Sequence, residues 1–217
     1  MHVVERCATP HGEFVLREHD GDFEIIAGGV FLMATYAGGA SERRLVHAAL
    51  AGVRRPASVL LGGLGLGYSL AAAVADPGVA RIVVVELAAP VLRWHRKHLG
   101  RLTGDAWRDP RVELVCADLT RWLEHAGERF DAVCLDVDNG PDWTLLPANA
   151  WLYGRAGLQA LRRTLAPGGR LAVWSAHAAP AFQARLEQHF AQVEVHAIAV
   201  ERGEPDRVYL ARRPEHV

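Results

Sequence analysis

Four glycines in six residues, Gly62, Gly63, Gly65 and Gly67, follow the apolar run Ser58-Val-Leu-Leu61. A buried strand that runs into a glycine turn and then opens a helix aims free backbone N–H groups at whatever lies over the turn. Glycine permits positive φ and lets a ligand approach the backbone with no Cβ in the way. A nucleoside-bearing cofactor suits that arrangement. Four acids share the same edge: Glu86 ends one apolar run, Asp118 follows the next, and Asp136 and Asp138 follow the one after. In an open α/β sheet, ligands bind at the carboxyl ends of the strands. An acid after the second strand can take both ribose hydroxyls, which is the role expected of Glu86. Asp118 also stands where a helix N-cap belongs, and Asp138 could instead bond the Asn139-Gly140 backbone as a turn acid.

The spacing narrows the cofactor. A dinucleotide fingerprint, G-x-G-x-x-G counted from Gly63, needs glycine at the position of Tyr68. The chain has G-x-G-x-G, Gly63-Leu-Gly-Leu-Gly67. Together with Glu86, Asp118 and the helix stop and strand of Leu165–Trp174, this pattern points to an adenosyl sulfonium. The histidines His95, His98 and His177 show no metal-ligand spacing, so no metal is expected.

These residues need a frame. Residues 11–36 break into short runs with Gly and Asp turns, which predicts a small N-terminal β-hairpin unit, taken as 1–40. Ser41–Leu50 predicts a helix. From Arg55 onward strands and helices alternate: strands at Ser58–Leu61, Arg81–Glu86, Arg111–Cys116, Phe130–Leu135 and Arg170–Ser175, and helices at Tyr68–Ala75, Pro90–Leu99, Leu119–Ala126, Tyr153–Leu165 and Ala179–His189. Continuous apolar strands alternating with helices predict an α/β, doubly wound, mostly parallel sheet over 41–217. Val193–Val200 and Val208–Ala211 close it as an antiparallel pair around the turn Glu201–Asp206.

Composition excludes other classes. The chain has 217 residues, half of them hydrophobic, and a formal net charge of −1, enough for a full core and poor for binding nucleic acid through bulk charge. Cys7, Cys116 and Cys134 are widely spaced, as reduced cytosolic thiols are. The first residues lack a signal-peptide pattern, and no apolar run reaches bilayer length, so a cytoplasmic protein with no membrane partner is expected.

The chain resembles the spermidine synthase family of aminopropyltransferases, a branch of the class I methyltransferase-like fold. The likeness lies in Val59–Leu70, Val83–Leu92, Asp109–Asp118 with Arg129–Asp136, and Leu152–Arg155 through Leu161–Gly169. It implies a seven-stranded sheet and, often, a homodimer. It implies that Gly63, Gly65, Leu66, Gly67, Glu86, Leu87, Asp118 and Leu119 bind the cofactor, with Glu86 on the ribose and Asp118 on the adenine amino group. Asp136 would orient and deprotonate an acceptor amine, with Asp138 and Tyr153 beside the acceptor. The chain also departs from the family. Leu66 stands where the family has an aspartate on the donor's amine. Ser41-Glu-Arg43 stands where the family has Tyr-His-Glu, and the loop after Asp136 is shorter.

The reaction expected is in-line alkyl transfer from a sulfonium, as aminopropyl transfer from decarboxylated S-adenosylmethionine to a small amine. Leu66 favours methyl transfer from S-adenosylmethionine instead, because an aspartate there would repel that donor's carboxylate. A non-catalytic binding protein is the third reading. Trp143 and Trp151 flank a loop that either closes over the site or is anchored by packing.

Overall fold

A computed structural model describes residues 2–200 and 203–215; Glu201 and Arg202 of the expected closing turn lie outside the described residues. The chain begins with four antiparallel strands, β1 (His2–Thr9), β2 (Gly12–His19), β3 (Asp22–Ala27) and β4 (Val30–Ala34), paired in sequence order. The sequence pattern predicts strands from residue 11 and misses β1. Its residues alternate between exposed and half-buried, so no apolar run marks it.

Helix α1 (Ala40–Leu50) leads into the large sheet. Its strands are β5 (Ala57–Gly62), β6 (Val79–Glu86), β7 (Val112–Cys116), β8 (Phe130–Leu135), β9 (Leu165–Ser175), β10 (Ala191–Ile198) and β11 (Asp206–Arg212). The spatial order is β10-β11-β9-β8-β5-β6-β7, with β11 antiparallel to both its neighbours, β10 and β9, and the remaining pairs parallel. This is the seven-stranded, doubly wound α/β sheet the sequence implies. Strand order reverses between β5 and β8, and a crevice forms at such a switch point.

The apolar strands alternate across the sheet. Val59, Leu61, Ile82 and Val84 face one core, shared with α1, α2 (Tyr68–Ala75) and the N-terminal sheet. Leu60, Val83, Val85 and Val133 face the other, under α4 (Leu119–His125), α6 (Arg155–Thr164) and α7 (Pro180–His189). Every central strand is therefore covered on both faces, which is why its sequence reads as a continuous apolar run.

Three elements differ from their sequence patterns. The expected helix over Pro90–Leu99 is α3 (Ala89–Trp94) followed by a π-helical turn, His95–Leu99. The expected helix over Tyr153–Leu165 is split into α5 (Ala150–Tyr153) and α6 by the extended backbone of Gly154. Pro167-Gly-Gly169 does not precede the strand but lies inside β9, where the β8 register slips between Phe130 and Ala132. Among the described residues, no helix is long and apolar enough to cross a membrane.

Phe182 on α7 is fully buried between Tyr153 and Tyr209, edge-on to both, with ring centroids 5.6 Å and 5.4 Å apart. Phe182→Ala is expected to lose about 3–5 kcal/mol of stability in a urea titration. A loss below about 1 kcal/mol would show that this face packs otherwise.

Candidate active site

The end of β5 and the start of α2 are joined by the glycine turn. Gly63 has φ +90°, and a Cβ there would lie 2.3 Å from the Asp136 carbonyl oxygen, so glycine is required twice over. The turn is wired to its neighbours through backbone bonds. Gly63 N–H donates to the Val85 carbonyl at 2.9 Å, and Asp136 N–H donates to the Gly62 carbonyl at 2.9 Å. The carboxyl ends of β5, β6 and β8 thereby become one surface.

Glu86, last residue of β6, closes that surface. One carboxylate oxygen accepts from Leu64 N–H at 2.8 Å and the other from Ala88 N–H at 2.7 Å. Burial raises its pKa, against the pull of these N–H groups and those of Gly65 and Leu87. Asp118 caps α4, taking the Thr120 N–H at 2.8 Å and the Thr120 hydroxyl at 2.7 Å on one oxygen. Burial works to raise its carboxyl, but those bonds and the Arg121 N–H hold it below its ordinary value. Asp118 both caps the helix and lines the cavity.

That cavity, of about 980 Å³, runs along the sheet edge between the N-terminal sheet and the start of β11. Gly63, Gly65, Glu86, Leu87, Asp118, Leu119, Asp136 and Asp138 all lie on its wall, as expected of site residues. Leu66, Gly67 and Tyr153 do not. Leu66 is 3 % exposed and packs in the core, because the turn's left-handed residues on either side of it rotate its side chain inward. Leu66 therefore presents no side chain to the cavity. Tyr153 is buried beneath the site and donates its hydroxyl to the Val137 carbonyl at 2.8 Å. It fixes the backbone between Asp136 and Asp138 and is not a cavity residue.

The two acids of that segment have diverged. Asp136 accepts the Ser69 hydroxyl at 3.1 Å. Burial pushes its carboxyl up to about 7, aided by the charges of Glu42, Asp206 and Glu86 and opposed by the Ser69 bond. Asp138 sits at φ 60° and spends its oxygens on the loop ahead, taking Leu145 N–H at 3.1 Å and the Asn149 amide at 2.7 Å. It latches the loop rather than the Asn139-Gly140 backbone. Of the flanking tryptophans, Trp143 stacks on His177 with 51 % exposure, and Trp151 packs on the second core.

Two further acids of the cavity carry no site role in the sequence reading, although Glu42 lies in the run that departs from the family's Tyr-His-Glu. Glu42 lies in the first turn of α1, raised by burial and then by the charge of Asp206. Asp206, at the start of β11, accepts from the Ser41 hydroxyl and from Trp174 Nε1 at 3.2 Å. Because β11 runs antiparallel to β9, its first residues fall on the edge where parallel strands end. That topology was the available signal. Among the described residues, the cavity is lined by six carboxylates, Glu42, Glu86, Asp118, Asp136, Asp138 and Asp206, with no Lys or Arg.

The Spermine/spermidine synthase domain matches residues 39–197, the span that holds the glycine turn and five of these six acids. The chain belongs to the spermine/spermidine synthase family. Its relatives include a polyamine aminopropyltransferase of Prochlorococcus marinus, 30 % identical over 60 % of this chain and 45 % of that one. Polyamine aminopropyltransferase 1 of Streptomyces coelicolor is 37 % identical over 60 % of this chain and 24 % of its own. The chain thus matches less than half the length of these relatives. Among solved structures, a spermidine synthase in complex with the transition state analogue AdoDATO superimposes with a TM-score of 0.82 at 18 % identity, covering 97 % of this chain and 73 % of that one. Spermidine synthase from Thermotoga maritima gives 0.79 at 17 %, covering 97 % and 72 %. These two likenesses establish the fold that spermine/spermidine synthase domains share with this chain.

Glu86→Gln would set an amide N–H against one of the two backbone N–H groups that the carboxylate now accepts. The orphaned donor is expected to cost about 1–3 kcal/mol, read as a lowered urea midpoint with unchanged slope. A midpoint equal to wild type would mean that Glu86 does not hold the turn.

Proposed function

We propose that this chain moves the aminopropyl group of decarboxylated S-adenosylmethionine onto a small amine. The observation that carries the reading is the charge of the cavity: six carboxylates and, among the described residues, no Lys or Arg. The decarboxylated donor brings a sulfonium and an ammonium, and its acceptor brings at least one further ammonium. Intact S-adenosylmethionine would place a carboxylate among these acids with no cation to meet it. Leu66 supplies no carboxylate at the turn and faces the core, so the six acids of the wall, and not residue 66, set the charge that the donor's tail meets. The names of the aminopropyltransferase relatives and of the AdoDATO complex support the same donor.

The roles follow from position. A carboxylate has about four acceptor sites, and the hydrogen bonds from Leu64 and Ala88 use one on each oxygen of Glu86, so it can hold the turn and still take ribose hydroxyls. Asp118, with Leu87 and Leu119 beside it, receives the adenine, and Gly63 and Gly65 pass the tail. Asp136 receives the acceptor ammonium and removes its proton. The freed nitrogen forms the N–C bond as the C–S bond breaks, and the electron pair of that bond stays on sulfur. The sulfonium loses its charge in the transition state, so alignment contributes most of the acceleration, up to ~7–11 kcal/mol in ideal cases. The same reading includes a homodimer, as the family resemblance implies, and a cytoplasmic location, as the sparse cysteines and the sequence pattern suggest.

Calorimetry with the two donors tests this. The decarboxylated form is expected to bind at least about tenfold tighter, which is about 1.4 kcal/mol. Tighter binding of the intact form would overturn the reading in favour of methyl transfer.

Asp136 supplies a second check. As a base it must be ionised, so kcat/KM is expected to rise with pH through about 7, the value to which the cavity pushes its carboxyl. Asp136→Asn is expected to lower the rate at pH 8 by about 10²–10⁴ and to abolish that limb. Stability moves the opposite way. With the folded pKa raised from 3.8 to about 7, wild type loses stability as pH climbs through that window. The Asn variant therefore gains on wild type between pH 4 and 7. A variant with full turnover would remove Asp136 from the chemistry.

A further inference from the structure

The glycine turn is gripped on a second side, by a residue outside the cavity. His95 follows the last residue of α3 and is 2 % exposed. Its Nε2 lies 2.9 Å from the Gly65 carbonyl oxygen. That oxygen can only accept, so Nε2 carries the proton. The other ring nitrogen, Nδ1, is buried with no partner, which fixes it as the bare nitrogen of a neutral imidazole. Protonating it would bury a charge beside an unmatched N–H, and burial accordingly holds the ring below its ordinary pKa.

The ring also sets the shape of the turn. Gly67 has φ +89°, and a Cβ built there would meet His95 Cε1 at 2.6 Å. The imidazole therefore occupies the space a side chain at residue 67 would need. The turn is thus held from two directions, by Glu86 through the Leu64 N–H and by His95 through the Gly65 carbonyl. The helix changes to π-helical bonding from His95 to Leu99. A π-turn is a costly insertion that persists mostly where it places a functional residue. Here it coincides with the residue that reaches the turn.

We propose that His95 is a positioning residue, which through its Nε2–H···O=C bond to Gly65 holds the glycine turn in the form that binds the donor's nucleoside. The ligand named here rests on the function proposed above; the grip on the turn does not.

Two variants separate the hydrogen bond from the bulk. His95→Phe keeps a ring and removes the donor, while His95→Gln keeps an N–H that can reach the carbonyl; His95→Met replaces the Phe variant if that chain does not fold. Methylthioadenosine is the calorimetric probe. The Phe or Met variant is expected to bind it about tenfold more weakly, the scale of one hydrogen bond, and Gln within about threefold of wild type. In turnover, the KM for the donor rises and the KM for the acceptor stays. Amide hydrogen exchange at Gly65–Tyr68 gives a readout without ligand, expected to quicken in Phe or Met and to return toward wild type in Gln. Wild-type exchange in the donorless variant, or equal behaviour of Gln and Phe, would overturn the proposal. If wild type does not bind methylthioadenosine, the functional reading fails, and exchange still decides the role of His95.

Discussion

The structure depends on one carboxylate buried at the end of a strand. Glu86 is 8 % exposed, and its charge has left water for a site that offers backbone N–H groups in return. Removing a carboxylate from water without partners would cost far more than a domain's stability allows. The partners come from the glycine turn and from the entry to α3, so the acid and the turn require each other. A turn without the acid would bury unmatched N–H groups; the acid without the turn would be an unpaired charge. The backbone bonds from Gly63 and Asp136 then extend this knot across three strands.

What the sequence makes legible is what the chain writes locally. Gly63, Gly65, Glu86 and Asp118 each sit at the end of an apolar run, and in a parallel sheet those ends share one edge, so their meeting follows from alternation alone. Glu42 and Asp206 belong to no such series. They reach the cavity because α1 leads into the sheet edge and β11 reverses direction, and strand direction is a tertiary fact. Leu66 is the opposite case. It lies within a local motif, but side-chain direction inside a turn is set by φ at its neighbours, and Gly65 and Gly67 both lie in the left-handed region. The pattern over Tyr153–Leu165 predicts one long helix with Tyr153 at its start; the break at Gly154 puts it in a separate short helix under the site.

The acids of the cavity are a cost that the fold alone does not explain. Burial raises both Glu42 and Asp136, the charge of Asp206 adds to each and that of Glu42 to Asp136, while Arg43, which is not on the cavity wall, draws only Glu42 back. A fold selected for stability would neutralise such a cluster by substitution or pairing, since buried charges without partners rank among the more destabilising features of proteins. Like charge gathered at a switch-point crevice is the pattern of a site that waits for its counter-charges. Cationic ligands would relieve the repulsion on arrival, so part of their binding free energy is already stored in the unliganded chain.

Asp136 and Asp138 show how finely the backbone divides such labour. They are two residues apart, and in a continued strand their side chains would share a face. The chain leaves extended geometry at Asp138, whose φ of 60° is tolerated by aspartate better than by most residues. That single turn sends one carboxylate to Leu145 and Asn149 and leaves the other on the cavity wall with the Ser69 hydroxyl as its neighbour. Tyr153 fixes the carbonyl between them from below. An acid whose oxygens are committed to holding a loop is poorly placed to exchange protons with a ligand. Burial raises both carboxyls, but Asp136 has a single side-chain hydroxyl for a partner and its other oxygen uncommitted, so it is the member of the pair equipped to take a proton.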